Sequence, residues 1–509
     1  MKQEKRSEKA ERRNSISDET FNYYKRVHES FKDLTLSGID QDIFFTNVFR
    51  QLENEALVAH KKTDSYKEKL HESKPDETFH KQFFKISKLI INSSHFTNYV
   101  SDKAANPVIQ LILHITCQLK QHKGEKLCKK LIRLCGFFDV PAVDPETPLT
   151  DHTRLPVLMM DVYATYLVQL LLQHCSEELF LAWYESSFKD RLIAYAIHEQ
   201  SNYVLQHVIE RCSSKEMFTF IFDEITPYLE DMLSMKHMGV IKTLIRKCLT
   251  LGTKQKKIVK KLLDAFHCTE EDKKILIVPL LMVMKTYEVY MENITIDDEV
   301  EKPEKFAKII INIHGSMIVQ TLFNFGNPKL FVDSFLSLTP KQMVSVMCSY
   351  FGNFMIKEYF KSSTIGEKSK DAVLQKISGS YSDIACDRIG SHTWQDIWNY
   401  LNINQKTNIA EELCKQIEKV RKNKYGVYVY ANLALGTYRH NCQQWQTSQA
   451  ALTNKRKMFK DILDPNEVRK KSKKSSKSKE NKQDCLNSND QPDDAIDFDL
   501  FKPKNKVKT

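Results

Sequence analysis

The sequence predicts an all-α solenoid of stacked helical repeats, and three observations support this prediction. Only 13 of the 509 residues are glycine and 14 are proline, fewer than glycine-rich nucleotide loops and turn-dense β-sandwiches require. The body is rich in Leu, Ile, Lys, Glu and Gln, which favour helices. One pattern of apolar and polar residues also recurs about every 37 residues, as expected when small helical units bury their apolar faces against one another.

Eight windows of twelve residues share this pattern. Their first residues are Ala105, Ala164, Ser201, His237, Gly315, Gly352, Gly390 and Gly426. The first interval of 59 residues exceeds one unit by about twenty, which predicts a Pro- and Asp-bearing loop over 137–156. The interval of 78 residues after His237 is about two units long and predicts a degenerate repeat near residue 277. Together with a weaker window from Asp64, these intervals predict ten or eleven repeats.

Polar residues and glycines recur at fixed positions within the windows. The sixth position is Gln in five windows and Lys in two, at Gln110, Gln169, Gln206, Gln320, Gln395, Lys242 and Lys357. Glycine opens four windows, where it permits a tight turn into a helix that a neighbouring Ser or Asn can cap. Shared packing explains the apolar positions, but it does not explain a polar residue held at one site of an exposed helix start.

The polar positions of one window can contact one unstacked nucleotide base. Asn202 and Gln206 are the second and sixth residues of the window from Ser201, one turn apart on one helix face. Their amides offer donors and acceptors to the Watson–Crick edge of a base. The third residue, Tyr203, points along the stack, where its ring can lie between neighbouring bases. A curved stack of such units therefore predicts a concave face that binds single-stranded RNA, with one base per repeat.

At these positions the windows resemble those of pumilio-repeat (Puf) RNA-binding proteins, whose second helix in each repeat carries the same trio. The resemblance covers about residues 40–463. It implies a right-handed superhelical solenoid of about ten or eleven Puf-like repeats, curved or U-shaped. It also implies a set of RNA-binding residues, which comprises Asn106, Gln110, Thr165, Tyr166, Gln169, Asn202, Tyr203, Gln206, Lys242, Ser316, Gln320, Asn353, Phe354, Lys357, Ser391, His392, Gln395 and Tyr428.

The resemblance further implies which bases the repeats favour, because Asn with Gln favours uracil in that family and Ser with Gln favours adenine. The pairs with these combinations are Asn106 with Gln110 and Asn202 with Gln206 for uracil, and Ser316 with Gln320 and Ser391 with Gln395 for adenine. Thr165 with Gln169 leaves the base open. The stacking positions are Tyr166, Tyr203, Phe354, His392 and Tyr428.

Some windows depart from the family pattern. Met238 with Lys242 and Asn353 with Lys357 match no base, and the two lysines can meet either phosphate or solvent. Gly239, Pro107 and Met317 are poor residues for stacking, and Val427 with Ala431 offers no polar pair.

Two segments resemble the nucleolar branch of the Puf proteins, the nucleolar protein nine family. They are the loop over 137–156 and the C-terminal stretch 431–463. The resemblance implies a monomeric protein of the nucleus and nucleolus that binds single-stranded or partly structured precursor ribosomal RNA. It also implies protein partners in the pre-ribosomal particle and a role in small-subunit ribosomal RNA processing and ribosome biogenesis.

Charge distinguishes the two ends of the chain from its body. Of the net charge of +11, residues 1–13 contribute +3 and residues 465–509 contribute +4. We expect a basic, mostly disordered tail over 1–38, and a repeat array with a C-terminal capping helix over 39–463. A disordered tail over 464–509, basic and then acidic, is expected to follow. Its segment VRKKSKKSSKSKENK (468–482) is expected to act as a nuclear or nucleolar address.

Two other functions are compatible with an array of helical repeats. A pumilio-type regulator of messenger RNA and a HEAT- or armadillo-like scaffold for proteins both remain open, although a scaffold has no reason to keep Gln at the sixth position. No enzyme is expected, because the sequence has no P-loop, H-E-x-x-H, G-x-S-x-G or glycine-rich dinucleotide turn. The twelve cysteines lack C-x-x-C spacing, and no cofactor, metal or membrane partner is expected.

Overall fold

The computed structural model describes residues 77–119, 121–141, 146–298 and 310–463. Within these ranges the regular elements are helices, and no strand is found among them. None of the helices in the described ranges has both the length and the apolar character that crossing a bilayer requires. The chain divides after Gly436 into two compact units. The window from Asp64 and the predicted tails over 1–38 and 464–509 lie outside the described residues.

The helices have the following bounds in chain order. They are α1 (Glu77–Ile91), α2 (Phe96–Ser101), α3 (Ala105–Leu119), α4 (Gln121–Leu134), α5 (Val157–Met160), α6 (Ala164–His174), α7 (Glu177–Ser187), α8 (Leu192–Ile197), α9 (Ser201–Arg211), α10 (Lys215–Ile225), α11 (Leu229–Ser234), α12 (Met238–Leu251), α13 (Gln255–Ala265), α14 (Glu271–Lys274), α15 (Ile277–Val283), α16 (Tyr287–Asp298), α17 (Ile313–Leu322), α18 (Lys329–Leu336), α19 (Pro340–Met347), α20 (Tyr350–Lys361), α21 (Glu367–Lys376), α22 (Tyr381–Cys386), α23 (Gly390–Ile397), α24 (Ile403–Lys415), α25 (Ile417–Lys422), α26 (Gly426–Asn432), α27 (Leu435–His440) and α28 (Cys442–Leu463). Short 3₁₀ helices lie at His152–Arg154, Thr226–Tyr228 and Trp398–Tyr400.

Each repeat of the first unit is built from short helices around one window. In the third repeat, α8 precedes the window, α9 carries it and α10 follows it. We call the window-bearing helices the second helices; they are α3, α6, α9, α12, α17, α20, α23 and α26. Each second helix packs directly on the second helix of the next repeat, from α3 through to α26. This continuous stack confirms the predicted all-α solenoid. The described repeats are numbered one to eight in the order of these second helices.

A side-chain cap three residues before the window starts the second helix in seven of these repeats. The capping residues accept a hydrogen bond from the backbone N–H of the first window residue, and they are Asp102, Asp161, His198, Asn312, Ser349, Asp387 and Asn423. The predicted cap, a Ser or Asn beside the first window position, is therefore wrong. A residue at the second position already lies within the helix, whereas a capping residue must precede the first helical residues.

Glycine at the first window position is required by close packing rather than by a tight turn. None of these four glycines has a positive φ. A Cβ atom would instead lie far inside contact distance of a carbonyl oxygen in the preceding first helix: 2.0 Å for Gly315 and Leu281, 2.2 Å for Gly352 and Val346, 2.3 Å for Gly390 and Ile384, and 2.4 Å for Gly426 and Val420. The glycine lets two helices of one repeat approach each other closely. The tight turn that the sequence predicted at this position is therefore wrong.

The degenerate repeat predicted near residue 277 is wrong. The second helices α12 and α17 pack directly on each other, so no further second helix lies between them. Residues 277–283 form α15, the first helix of the repeat to which α17 belongs, and the backbone N–H of Asn312 donates to the carbonyl of Met282. Most of the extra residues form an insertion over 284–312, between the first and second helices of repeat five.

The described part of this insertion is held to the preceding repeat through α16. The Tyr287 backbone N–H donates to the carbonyl of Phe266, and Lys273 lies over the Tyr287 ring at 5.0 Å. His267 lies between two carboxylates, 2.8 Å from Glu288 and 3.1 Å from Glu230. These contacts raise the pKa of His267, because both carboxylates favour the charged imidazolium.

The loop predicted over 137–156 is confirmed in its described part and packs against repeat two. Phe137 is fully buried and stacks on Trp183, with 5.6 Å between the ring centroids. The Arg154 guanidinium donates to the carbonyl of Asp190, and that of Arg191 donates to the carbonyl of Pro141. Buried arginines therefore satisfy loop carbonyls that would otherwise lack hydrogen bonds, and so fix the loop.

Glu224 makes the stability of repeat three sensitive to pH. Its carboxylate accepts a hydrogen bond from the backbone N–H of Leu192, 2.9 Å away, at the start of α8. Burial raises the pKa of Glu224 to about 7. The folded state therefore holds this proton more tightly than the unfolded state, so stability is highest below the ordinary carboxyl pKa and falls as the pH rises towards 7 and beyond.

We expect Glu224→Gln to stabilise the protein at pH 8 and to have little effect at pH 5. The amide oxygen can still accept from Leu192 without carrying a buried charge. A gain on the order of 1–2 kcal/mol at pH 8 allows for the partial exposure of the carboxyl group. Denaturant unfolding of parent and variant at both pH values measures this difference. Equal differences at the two pH values would contradict the assignment.

Candidate nucleic-acid interface

The stacked second helices bring equivalent window positions into a row with a common pattern of exposure. In repeat three, Asn202 is buried at 4% exposure, Gln206 is half-buried and Tyr203 is 53% exposed. The same order of burial holds for Ser316 and Gln320 in repeat five. The sixth-position glutamines that the sequence predicted are half-buried throughout, at Gln110, Gln169, Gln206, Gln320 and Gln395. In these five repeats the row therefore presents one amide group within reach of solvent.

In three repeats the second and sixth residues are joined by a hydrogen bond across one helical turn. Gln110 donates to Asn106 over 2.5 Å, and Gln206 donates to Asn202 over 3.3 Å. In repeat five the Gln320 amide donates to the Ser316 hydroxyl over 2.9 Å. The i and i+4 spacing predicted from the sequence therefore produces real side-chain pairs.

The second residue of each pair is also fixed by the backbone. Asn106 donates to the carbonyl of Val100 over 2.6 Å, and Ser316 donates to that of Phe351 over 2.7 Å. Asn202 donates to two carbonyls at the end of the preceding turn. Because the second residue is held in place, each pair presents a defined hydrogen-bonding edge.

Repeats two and seven lack this bond between the pair. The hydroxyl of Thr165 donates to the carbonyl of Val162 over 3.0 Å, and that of Ser391 donates to the carbonyl of Arg388 over 3.1 Å. Both side chains are buried and turn back to their own backbone. Gln169 and Gln395 are consequently in line with the other sixth-position glutamines, but no hydrogen bond from Thr165 or Ser391 holds them.

In five of the eight described repeats the third window position carries an exposed ring. The large rings at this position are 41–62% exposed, at Tyr166, Tyr203, Phe354 and Tyr428. His392 is exposed at the same position in repeat seven. Aromatic rings that extend into solvent in a row provide platforms on which nucleotide bases stack. Tyr350 is not among the residues predicted from the sequence; it is 63% exposed and meets Phe354 edge to face at 5.9 Å between centroids. It precedes the window, so the repeat pattern did not mark it.

Repeat four lacks a stacking residue because its neighbour occupies that space. A Cβ atom on Gly239 would lie 2.5 Å from Nε2 of Gln206 and 2.6 Å from its Oε1. The side chain of Gln206 therefore lies over Gly239, across the boundary between repeats three and four. This glycine, which the sequence marked only as a poor stacker, positions the glutamine of the repeat before it.

We expect Gly239→Ala to weaken RNA binding through Gln206 while leaving the fold intact. The methyl group meets the flexible end of a side chain, which can move and lose its bond to Asn202. A loss of about 1 kcal/mol in binding is expected, roughly fivefold in affinity. A double-mutant cycle with Gln206→Ala measures the coupling. If Gly239→Ala weakens binding equally with and without Gln206, the proposed positioning is wrong.

The two sixth-position lysines lie near neighbouring repeats. Lys357 Nζ is 3.3 Å from Oδ1 of Asp396 on α23, so it forms an ion pair with repeat seven. Lys242 is half-buried near His314 of repeat five. Burial, together with the charge of Lys242, lowers the pKa of His314. Across the described ranges, no group of three or more His, Cys, Asp or Glu side chains could hold a metal ion.

Three-helix repeats that align amide pairs and exposed rings on successive second helices define a protein of the Puf class, in which each helical repeat binds one RNA base. The comparison with known families agrees with this class. The chain belongs to the family of the NOP9-like PUF repeat domain, whose model matches residues 49–428.

Proteins similar in sequence to this chain match it over most of its length. Nucleolar protein 9 of Mus musculus is 27% identical over 374 residues, which cover 72% of this chain and 57% of that protein. Nucleolar protein 9 of Homo sapiens is 25% identical over 394 residues, covering 75% of this chain and 61% of that protein. The chain therefore spans about three fifths of the length of these curated relatives. This relationship confirms the predicted nucleolar branch and places the protein in the nucleolus.

A solved structure shares the fold. The structure of APUM23-GGAAUUGACGG superposes with a TM-score of 0.58 at 21% identity, and the match covers 72% of this chain and 66% of that one. At this level of identity the likeness shows the Puf fold alone. The roles of the individual window residues remain predictions.

Proposed function

We propose that the protein binds single-stranded or partly structured precursor ribosomal RNA and acts in processing of the small-subunit rRNA. The single observation that carries this proposal is the row of paired polar side chains and exposed rings along the stacked second helices. Each pair offers a hydrogen-bonding edge, and each ring offers a stacking face. A surface for folded protein partners would have no need of both at a fixed interval.

The resemblance to Puf proteins supports the base preferences that we propose. Asn106 with Gln110 and Asn202 with Gln206 are the uracil-reading pairs, and Ser316 with Gln320 and Ser391 with Gln395 are the adenine-reading pairs. For Thr165 with Gln169 we propose no particular base. The stacking residues are Tyr166, Tyr203, Phe354, His392 and Tyr428. Lys242 contacts phosphate beside its repeat.

The relatives support the setting of this activity. Two of them are named nucleolar protein 9, and the matched APUM23 structure includes the uracil-containing sequence GGAAUUGACGG. We propose that the protein acts as a monomer beside proteins of the pre-ribosomal particle. We also propose that the array extends over 39–463, with a capping helix at its C-terminus and tails over 1–38 and 464–509.

Crosslinking in cells tests the target. RNA crosslinked to the full chain should be enriched in small-subunit ribosomal RNA precursors, and depletion of the protein should change the abundance of those precursors. The matched control is the full chain with Asn202→Ala/Gln206→Ala and Ser316→Ala/Gln320→Ala, which should lose this enrichment. Crosslinks confined to messenger RNA, or to precursors of the large subunit, would contradict the proposal.

A further inference from the structure

Repeat six contains a buried polar atom that has no hydrogen-bond partner. Asn353, at the second window position, is only 9% exposed, and its Oδ1 atom is buried and unpaired. Burying a carbonyl oxygen without a donor costs free energy comparable with a lost hydrogen bond. Such an atom at a row of ligand-binding positions indicates a donor that is supplied by the ligand.

The other second-position asparagines of the described repeats show that this is a departure. Oδ1 of Asn106 accepts from Gln110, and Oδ1 of Asn202 accepts from Gln206. Repeat six has lysine at the sixth position, and the lysine is drawn to Asp396 of repeat seven instead. The oxygen of Asn353 is thereby left without the bond that its counterparts have.

The resulting site combines two acceptors with one cationic donor. The acceptors are Oδ1 of Asn353 and the carboxylate of Asp396, and the donor is the ammonium group of Lys357. The Lys357 and Asp396 side chains are 38% and 34% exposed, so a ligand can reach both. Phe354, 41% exposed at the third position of the same repeat, supplies a face for stacking.

Guanine is the RNA base that complements this combination. Its Watson–Crick edge carries two adjacent N–H donors, at N1 and N2, beside one carbonyl acceptor, O6. Uracil has one donor between two carbonyl oxygens, which Asp396 would repel, and adenine and cytosine each have donors on only one atom of that edge. We infer that repeat six selects guanine, with Asn353 and Asp396 accepting from the base and Lys357 donating to O6. This inference rests on the proposed RNA-binding function.

Selection of RNA from a randomised pool by the full chain tests the inference. The parent should enrich a motif with guanine at one position. Asp396→Asn should lose preference at that position alone, and Lys357→Gln/Asp396→Ala, which restores the Asn and Gln pair of repeat three, should replace guanine with uracil. In direct titrations, replacing that guanine should weaken parent binding about tenfold and Asp396→Asn binding by less than about threefold.

Two controls separate the possible failures. Asp383 forms a more exposed ion pair with Lys419 outside the windows, so Asp383→Asn should leave the motif unchanged. Asn202→Ala/Gln206→Ala should relax a different position. If that variant changes the motif and both Asp396 variants leave it unchanged, the guanine assignment is overturned while the proposed function stands. If the parent enriches no RNA, the proposed function fails and the guanine assignment fails with it.

Discussion

Gly390→Ala should lower the free energy of unfolding by about 2–3 kcal/mol. The added Cβ would lie 2.3 Å from the carbonyl oxygen of Ile384 and 2.9 Å from its Cγ2. The oxygen belongs to the backbone of α22 and cannot rotate away, so relief requires α22 and α23 to separate. Overpacking of this kind typically costs about 1–3 kcal/mol, and a backbone obstacle belongs at the upper end of that range. Denaturant and thermal unfolding of the full chain measure the loss.

Gly366→Ala provides the matched control. Gly366 precedes α21 with a φ of −71°, and a Cβ atom there would meet no atom within 4 Å. Gly366 is also the N-cap residue of α21, where alanine is less favourable than glycine, so its replacement should cost at most about 1 kcal/mol, clearly less than Gly390→Ala. Similar destabilisation by both substitutions would show that close packing of the first window position is not the reason for glycine there.

Asn202→Ala/Gln206→Ala should weaken binding to the preferred single-stranded RNA by about 1–3 kcal/mol, roughly 5- to 150-fold. Ser316→Ala/Gln320→Ala should have an effect of similar size. Each double variant removes both side chains of one pair, so neither member of the pair is left without the other. Selectivity should fall at one position of the RNA in each case, and the two positions should differ. Titration of RNAs that differ at single positions measures both effects.

The control for these variants is Thr219→Ala/Thr250→Ala. Both hydroxyls are outside the windows and donate to a carbonyl four residues earlier within their own helices. This double variant also removes two polar groups, but it should bind RNA as the parent does. Equal losses in all three double variants would trace the effect to stability. Unchanged binding in both window variants would remove these pairs from base recognition.

The window residues could be predicted because their spacing alone places them together. Asn202 and Gln206 lie four residues apart, and any helix brings such residues onto one face. The apolar positions between them, such as Val204 and Leu205, are fully buried as the pattern indicated. Local periodicity thus determined the helices and the orientation of the pairs.

Features that depend on distant segments could not be predicted in this way. The interval of 78 residues between the windows from His237 and Gly315 is about two repeats long, so the residue spacing predicted a repeat where the chain has extra residues, most of them in the insertion before α17. The glycine at 315 faces a carbonyl of Leu281, and the two positions are joined only in the folded chain. The unpaired oxygen of Asn353 likewise depends on Asp396, which lies in the following repeat.

The nesting of Gln206 over Gly239 limits how freely the specificity of this array can be redesigned. Replacing the second, third and sixth window residues of one repeat assumes that each repeat binds its base independently of its neighbours. Here an aromatic side chain at position 239 would displace the side chain of Gln206 in the preceding repeat. Repeats three and four must therefore be redesigned together.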